Sequence, residues 1–340
     1  MAASSYTSNF ERWPRRFLGK LLTFCVVIGT LDLGVGIVLD RLYQGTERGG
    51  VGVINRALKQ RHEVVIIGDS RAHHHFDPAV LGQETGLGVY NAGVDGQSLL
   101  FFYALEQLIV TEYRPKLILL HLGPGDLRGR QEALDRLSVL LPHVHHPEIR
   151  ALLMQRSPYE SIKLLSRIYP YNSMIAGLLG AAVLPAPSSD DNGYVALRGS
   201  DMPAALNADA TGDRDEAEQG PASRRDEQQH IFLRTLRRLI TSARARNIAT
   251  VICVSPRWGE QPLDKRVRQL IDAEDAQYIE ITQVTHPVFR DPVLFKDPSH
   301  LNEQGARVFS KILGEELRKR FALRGGDPAV TYHDDHDEVR

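Results

Sequence analysis

Residues Val64 to Pro78 read VVIIGDSRAHHHFDP, and this stretch decides the fold. Four β-branched apolar residues in a row mark a strand buried on both faces, because a half-exposed strand would alternate. The run stops on Gly68-Asp69-Ser70, where the chain turns toward a helix. Four further runs have the same character: GVYNAG (88–93), PKLILLHLGPGD (115–126), IATVICVSP (248–256) and AQYIEIT (276–282). Helical patterns separate them, among them GQSLLFFYALEQLIVTEY (96–113) and NEQGARVFSKILGEELRKRF (302–321). Buried strands alternating with helices predict an α/β chain, with a five-stranded parallel sheet between two helical layers. Ligands of such sheets sit beyond the carboxyl ends of the strands. Three ends converge there: Gly68-Asp69-Ser70, Asn91-Ala92-Gly93 and Gly123-Pro124-Gly125-Asp126.

A serine hydroxyl at a strand end becomes a nucleophile only beside a base, and the base needs an orienting group. The stretch LFKDPSHLNEQGA (294–306) supplies both, with Asp297 and His300 on one loop directly before the last helix. Such a turn can set the carboxylate against one imidazole nitrogen and leave the other facing out. Ser70 is therefore the candidate nucleophile, His300 the base and Asp297 the orienting acid. A developing oxyanion needs donors, each worth about 2.7–4 kcal/mol when well aimed. The backbone N–H groups of Ser70 and Gly93 are candidates, since glycine lets the backbone approach a substrate closely. Asp69 is read as holding the turn by backbone hydrogen bonds, and Asn91 as supporting the turn at Gly93. Asp126 is read as a scaffold hydrogen-bonder, and Asn302 as a helix N-terminal residue. Arg71 has two readings: pairing with a surface acid, or contact with an anionic polymer.

These blocks resemble the SGNH/GDSL hydrolase superfamily. The matching residues are Gly68-Asp69-Ser70, Gly93, Gly123-x-x-Asp126 and Asp297-x-x-His300, spread over roughly residues 62–320. The resemblance implies a three-layer α/β/α domain with a flavodoxin-like sheet and an acyl-enzyme formed on Ser70. The superfamily's third block usually carries an asparagine whose amide is an oxyanion donor. Gly125 stands in its place here, so the third donor is missing or comes from backbone or elsewhere. The G-x-S-x-G elbow of other hydrolases is absent, because position 72 is alanine. Membrane-anchored members that modify envelope polymers combine an N-terminal anchor with such a domain. By that resemblance the substrate is an acylated polysaccharide or glycan, and a multi-pass membrane acyl donor protein is a partner. Two other readings stay open: an esterase of small esters, and a catalytically idle glycan-binding or assembly subunit.

The anchor is read from LLTFCVVIGTLDLGVGIVL, residues 21–39. As a helix it would span roughly 28 Å, close to the bilayer hydrocarbon thickness. Arg12, Arg15, Arg16 and Lys20 precede it, while Arg41 is the nearest base after it. That asymmetry predicts residues 1–20 in the cytoplasm and the remainder outside, on the inner membrane. A cleaved signal peptide and a buried core helix are the competing readings. Asp32 interrupts the run, either as a tolerated charge or facing a partner helix. Residues 40–61 are expected to be a juxtamembrane linker and 62–322 the domain. A polar, Pro/Gly/Asp-rich flexible insertion is expected at about 185–224, and a disordered tail at 323–340.

Acids and bases nearly cancel, with a formal net charge of −1, so no nucleic-acid partner is expected. Cys25 and Cys253 lie in separate apolar runs and suggest no disulfide. No cofactor motif is visible. His73, His74 and His75 are read as lining the cleft mouth or capping a helix, because adjacent helical residues point to different faces. No metal site is expected from them.

Overall fold

A computed structural model describes residues 12–123, 130–184, 192–202, 222–259 and 263–321. Five parallel strands form the central sheet: β1 (Val64–Ile67), β2 (Val89–Asn91), β3 (Leu117–His121), β4 (Ala249–Val254) and β5 (Gln277–Glu280). Their order is β2-β1-β3-β4-β5. Val64 pairs with both Val89 and Leu117, Leu117 with Ala249, and Val251 with Gln277. A short antiparallel pair, β6 (Phe295–Asp297) and β7 (His300–Leu301), lies apart from the sheet.

The helices are α1 (Arg12–Gly45), α2 (Gly49–Lys59), α3 (Ser70–His75), α4 (Pro78–Thr85), α5 (Leu99–Glu112) and α6 (Arg130–Arg136). They continue with α7 (Pro147–Leu153), α8 (Glu160–Lys163), α9 (Ile175–Val183), α10 (Ala222–Arg244), α11 (Lys265–Ala273) and α12 (Glu303–Arg320). Alternation along the strands builds two cores. Val65, Ile67, Ile118, Leu120 and Ile252 face α2, α5, α10 and α11. Val64, Ile66, Leu117, Leu119 and Val251 face α4 and α12. Period-two geometry thus explains why β1 is apolar throughout and β3 and β4 nearly so: each face has its own helical layer to fill. The result is the expected three-layer α/β/α fold.

Residues 40–61 differ from a linker. α1 runs on to Gly45, and α2 buries Val53, Ile54 and Ala57 in the same core as α5. The apolar positions of GGVGVINRALK lie on one helical stripe, which makes this segment a covering helix of the sheet. Part of the expected flexible insertion at about 185–224 is ordered. Residues 185–191 and 203–221 lie outside the described residues, but 192–202 are packed, with Tyr194 and Met202 buried. Residues 222–224 already belong to α10. The expected tail and residues 1–11 fall outside the described residues.

α1 is the one described helix long and apolar enough to cross a membrane, by length and composition. Its stretch Arg16–Gly45 contains an apolar window only 6% buried, far less than a core helix would show.

Candidate active site

Ser70 opens α3 directly after β1. Asp69 caps that helix, accepting the Arg71 N–H at 2.9 Å. As the first helical residue, Ser70 has an N–H without an intrahelical acceptor. Its Oγ lies 2.9 Å from Nε2 of His300. The other ring nitrogen, Nδ1, lies 3.0 Å from Oδ2 and 3.1 Å from Oδ1 of Asp297. Asp297 Oδ1 also accepts the N–H groups of Ser299 (2.8 Å) and His300 (3.0 Å), so the acid closes its own turn. Burial pushes the Asp297 carboxyl up. Hydrogen bonds from the His300 ring and from these two N–H groups outweigh that and leave it below its ordinary value. Three residues from opposite ends of the chain thus stand in nucleophile–base–acid order, with His300 and Asp297 partly open to solvent.

A buried polar chain runs underneath. The Leu301 N–H donates to His75 Nε2 at 2.9 Å, so the ring proton of His75 sits on Nδ1. That nitrogen donates to Ser255 Oγ at 2.8 Å, and the Ser255 hydroxyl donates to His121 Nε2 at 3.1 Å. His121 Nδ1 then faces Asp69 Oδ1 at 3.1 Å. The chain begins beside His300 and ends beside Ser70, crossing the ends of β3 and β4. Its members are at most 1% exposed apart from Asp69, whose side chain is 13% exposed. Burial pushes the Asp69 carboxyl up, but His121, then the Arg71 charge and the Arg71 N–H, hold it well below the ordinary range. Burial pushes the His121 imidazole down, and the same effect, aided by the charge of Arg71, takes His75 well below its usual value.

Arg71 pairs with an acid of the site rather than with one on the surface. It is 6% exposed and lies over its own helix start, with Nε 3.8 Å from Asp69 Oδ2. A side chain at Gly123, two residues beyond β3, would collide with the Arg71 guanidinium. Asn91, fully buried, donates from Nδ2 to Ala72 O (2.7 Å) and Phe76 O (2.8 Å). Its Oδ1 accepts the Gly93 N–H at 2.9 Å. That N–H, expected to serve an oxyanion, is therefore already engaged. A Cβ at Gly93 would lie 2.5 Å from the His73 backbone nitrogen, so glycine is needed here for close packing on α3. Gly125 and Asp126 lie outside the described residues.

The rim of the cleft is built by the other two histidines. His73 Nδ1 lies 2.7 Å and His74 Nε2 3.4 Å from Asp95 Oδ1, and the two rings stack at 4.7 Å. Contrary to the reading that neighbours on a helix diverge, these two share one carboxylate. Their ligand atoms and that of Asp95 fall within 4.8 Å of one another, the one such His/Cys/Asp/Glu group among the described residues. Val195 ties the 192–202 segment to the same place: its N–H donates to His73 O (3.2 Å) and its carbonyl accepts from His74 Nδ1 (2.7 Å). With an acceptor at each ring nitrogen, His74 favours its protonated form. Burial pulls its pKa down, but Asp95 and the Val195 carbonyl outweigh burial and raise it. Its ring meets that of His300 edge-on, with centroids 5.7 Å apart.

Sequence reasoning did not find His121, Ser255 or the role of Val195. Two of them carried a signal: His121 ends β3 and Ser255 follows β4, both at the sheet edge where ligands bind.

No family model matches the chain, and no curated protein matches it either. Among solved structures, it is similar to a protein described as lipolytic and of the G-D-S-L family from Desulfitobacterium hafniense DCB-2. The identity is 13%, covering 74% of this chain and 97% of that one, with a TM-score of 0.38. It is also similar to a protein described as an acylhydrolase from Bacteroides fragilis NCTC 9343. Here the identity is 11%, covering 78% of this chain and 90% of the other, again with a TM-score of 0.38. Likeness at this level bears on no functional detail.

Proposed function

We propose that the chain is a membrane-anchored serine acyl-transfer enzyme whose domain stands outside the cytoplasm and acts on a cell-envelope polysaccharide. The observation that carries this reading is the Ser70–His300–Asp297 geometry, with 2.9 Å from nucleophile to base and 3.0 Å from base to acid. In the proposed reaction Ser70 Oγ attacks the acyl carbonyl while its proton passes to His300 Nε2. The tetrahedral adduct collapses, the C–O bond to the leaving alcohol breaks, and His300 returns the proton to that oxygen. A sugar hydroxyl or water then gives its proton to His300, attacks the acyl-enzyme and releases Ser70. Asp297 holds the imidazole in the tautomer that does this and stabilises the imidazolium.

The anchor and the resemblance to envelope-modifying members support a polysaccharide substrate. So does the sparse set of oxyanion donors: Gly93 N–H is engaged by Asn91, and Gly125 has no side chain. Losing one donor costs about 100- to 1000-fold in rate. A polymer held at the membrane offsets that through proximity, whereas a small free ester does not. The same observation favours a second reading, an idle glycan-binding subunit.

The test uses the full-length protein in detergent. A fluorophosphonate probe should label wild type and leave Ser70→Ala unlabelled. Acyl transfer or release should appear on acylated oligosaccharide and be weak on p-nitrophenyl acetate. Equal labelling of the two proteins would remove Ser70 as nucleophile. Fast small-ester turnover without glycan activity would make the protein a free esterase. No labelling and no turnover, with measurable glycan binding, would make it the idle subunit.

A further inference from the structure

α1 does not rise freely from the membrane to the domain. From Asp32 onward one face of it is covered, at Asp32, Gly36, Leu39 and Tyr43, the i, i+4, i+7, i+11 spacing of a helical stripe. What covers it is the segment 166–178. The Asp32 carboxylate accepts the Ser166 hydroxyl (2.5 Å) and the N–H groups of Arg167 (2.7 Å) and Ile168 (3.4 Å). Gly36 meets Arg167 so closely that a Cβ there would fall 2.5 Å from the Arg167 Cβ. Leu39 and Tyr43 pack with Tyr171 and Leu178. The Tyr171 hydroxyl donates to Asp40 at 2.8 Å.

The height of this contact follows from helix geometry. Arg16 is the last of the clustered bases Arg12, Arg15 and Arg16, and Asp32 is 16 residues beyond it (32 − 16). At 1.5 Å per residue that is about 24 Å, against a hydrocarbon thickness of about 30 Å. Counted from Lys20 the rise is only about 18 Å. Either way, Asp32 and the turn at 166–168 lie about 6–12 Å inside the hydrocarbon boundary on the domain's side. A tilt of α1 would bring them deeper.

The surface at that height has the chemistry such a position demands. Ile162, Leu165, Leu179, Val183 and Leu184 are all more than half exposed, Leu165 and Val183 more than 80%. α9 reads IAGLLGAAV, without one polar side chain, yet buries only Leu178. A helix apolar all round and uncovered by protein belongs in an apolar medium. Irregular backbone at membrane depth is tolerated only where its polar groups are satisfied. Asp32 does that for the N–H groups of Arg167 and Ile168. The acid that interrupts the apolar run is the cap of a turn, consistent with the rule that intramembrane acids find backbone or charged partners. Lys163, tied to Glu160 at 3.0 Å, and exposed Arg167 have stems long enough to lift their charges to the phosphate level.

We propose that residues 159–184 form a foot immersed in the lipid leaflet on the domain's side, fastened beside α1 by Asp32. The bilayer is the occupant because the apolar patch continues the lipid-facing surface of α1 at the same depth. The proposal rests on reading α1 as membrane-spanning, and the experiment separates the two.

The full chain is reconstituted into vesicles of phosphatidylethanolamine and phosphatidylglycerol. A fluorophore is attached to native Cys25 in α1 or, in a Cys25→Ser background, to Leu165→Cys, Leu179→Cys or Val183→Cys. Quenching is read from lipids brominated near the carbonyl or near the chain end. The expected result is quenching of Cys25 most strongly by deep bromine, and of positions 165, 179 and 183 by shallow bromine. Asp32→Ala should weaken quenching at 165 while leaving Cys25 unchanged. Quenching of Cys25 without quenching at the other three positions would overturn the foot and leave the anchor standing. No quenching at Cys25 would overturn the anchor and the foot together. In native membranes, positions 165, 179 and 183 shielded from both lipid and water would mean that a protein covers them, which also overturns the lipid assignment.

Discussion

The rim of the cleft and the floor beneath it draw on the same three letters, His73-His74-His75, and put them to opposite use. On the rim, His73 and His74 converge on Asp95, a side chain 57% exposed, and His74 is held toward its protonated form. On the floor, His75 is fully buried and neutral, with one nitrogen accepting from Leu301 and the other donating to Ser255. The difference comes from about 100° of rotation per helical residue. It turns two rings toward the segment at 192–202 and the third toward the ends of β3 and β4. The rim can answer to solvent and pH; the floor fixes where Ser70 and His300 stand.

The largest expected effect lies where rim and floor meet. Asp297→Asn should lower turnover on acylated oligosaccharide by about 10⁴-fold, through the wrong imidazole tautomer. A loss below tenfold would detach Asp297 from the site.

Next comes the floor itself. Arg71→Leu removes one of the charges that favour ionised Asp69 and leaves that carboxylate buried, so it should cost up to about 3–5 kcal/mol in urea unfolding. A cost near that of a surface substitution would show that the floor is not held by charge.

A third experiment sharpens the contrast in protonation. The His75 pKa is depressed on folding, so the unfolded chain takes up a proton that the folded chain refuses. Stability is then lost as pH falls below the unfolded value of about 6.5, with a limiting slope of about 1.4 kcal/mol per pH unit. His75→Gln should flatten unfolding curves measured across pH 5 to 7 (a range set around that value). An unchanged slope would mean that His75 is not held neutral.

The smallest effect belongs to the rim and has the opposite sign. The His74 pKa is raised, so its contribution is present below about 6.5 and disappears as pH rises through the folded value. Solvent screening at half-exposed Asp95 limits it to about 1 kcal/mol or less. Asp95→Asn should therefore destabilise at low pH and match wild type in alkaline buffer. A difference that grows with pH would break the contrast.

The sheet was legible because its inner strands β1, β3 and β4 are near-continuous apolar runs, which a doubly covered parallel strand explains. The Ser70, His300 and Asp297 arrangement was legible because each residue sits on a punctuated motif: a glycine turn after a strand, or an acid three residues before a histidine. The floor was not. His121 and Ser255 look like ordinary strand-end residues, and only their meeting across 134 positions gives them partners. Arg71 looked exposed because nothing local reveals that Gly123 leaves room for it. The segment at 192–202 was hidden by its composition, since Val195 serves the rim through backbone atoms. Asp32 was misleading because its partners, the Ser166 hydroxyl and two N–H groups, lie more than 130 residues away.

The 230 residues between Ser70 and His300 also set an order of events in biosynthesis. At about 5–20 residues per second, the serine leaves the ribosome about 10–50 s before its base does. During that interval β1 can pair with β2 and β3, but β6, β7 and α12 do not yet exist. The hydroxyl of a half-made chain has no imidazole to take its proton. The Ser70–His300 contact is therefore deferred until the final helix docks on α4 and carries the Asp297–His300 turn into place.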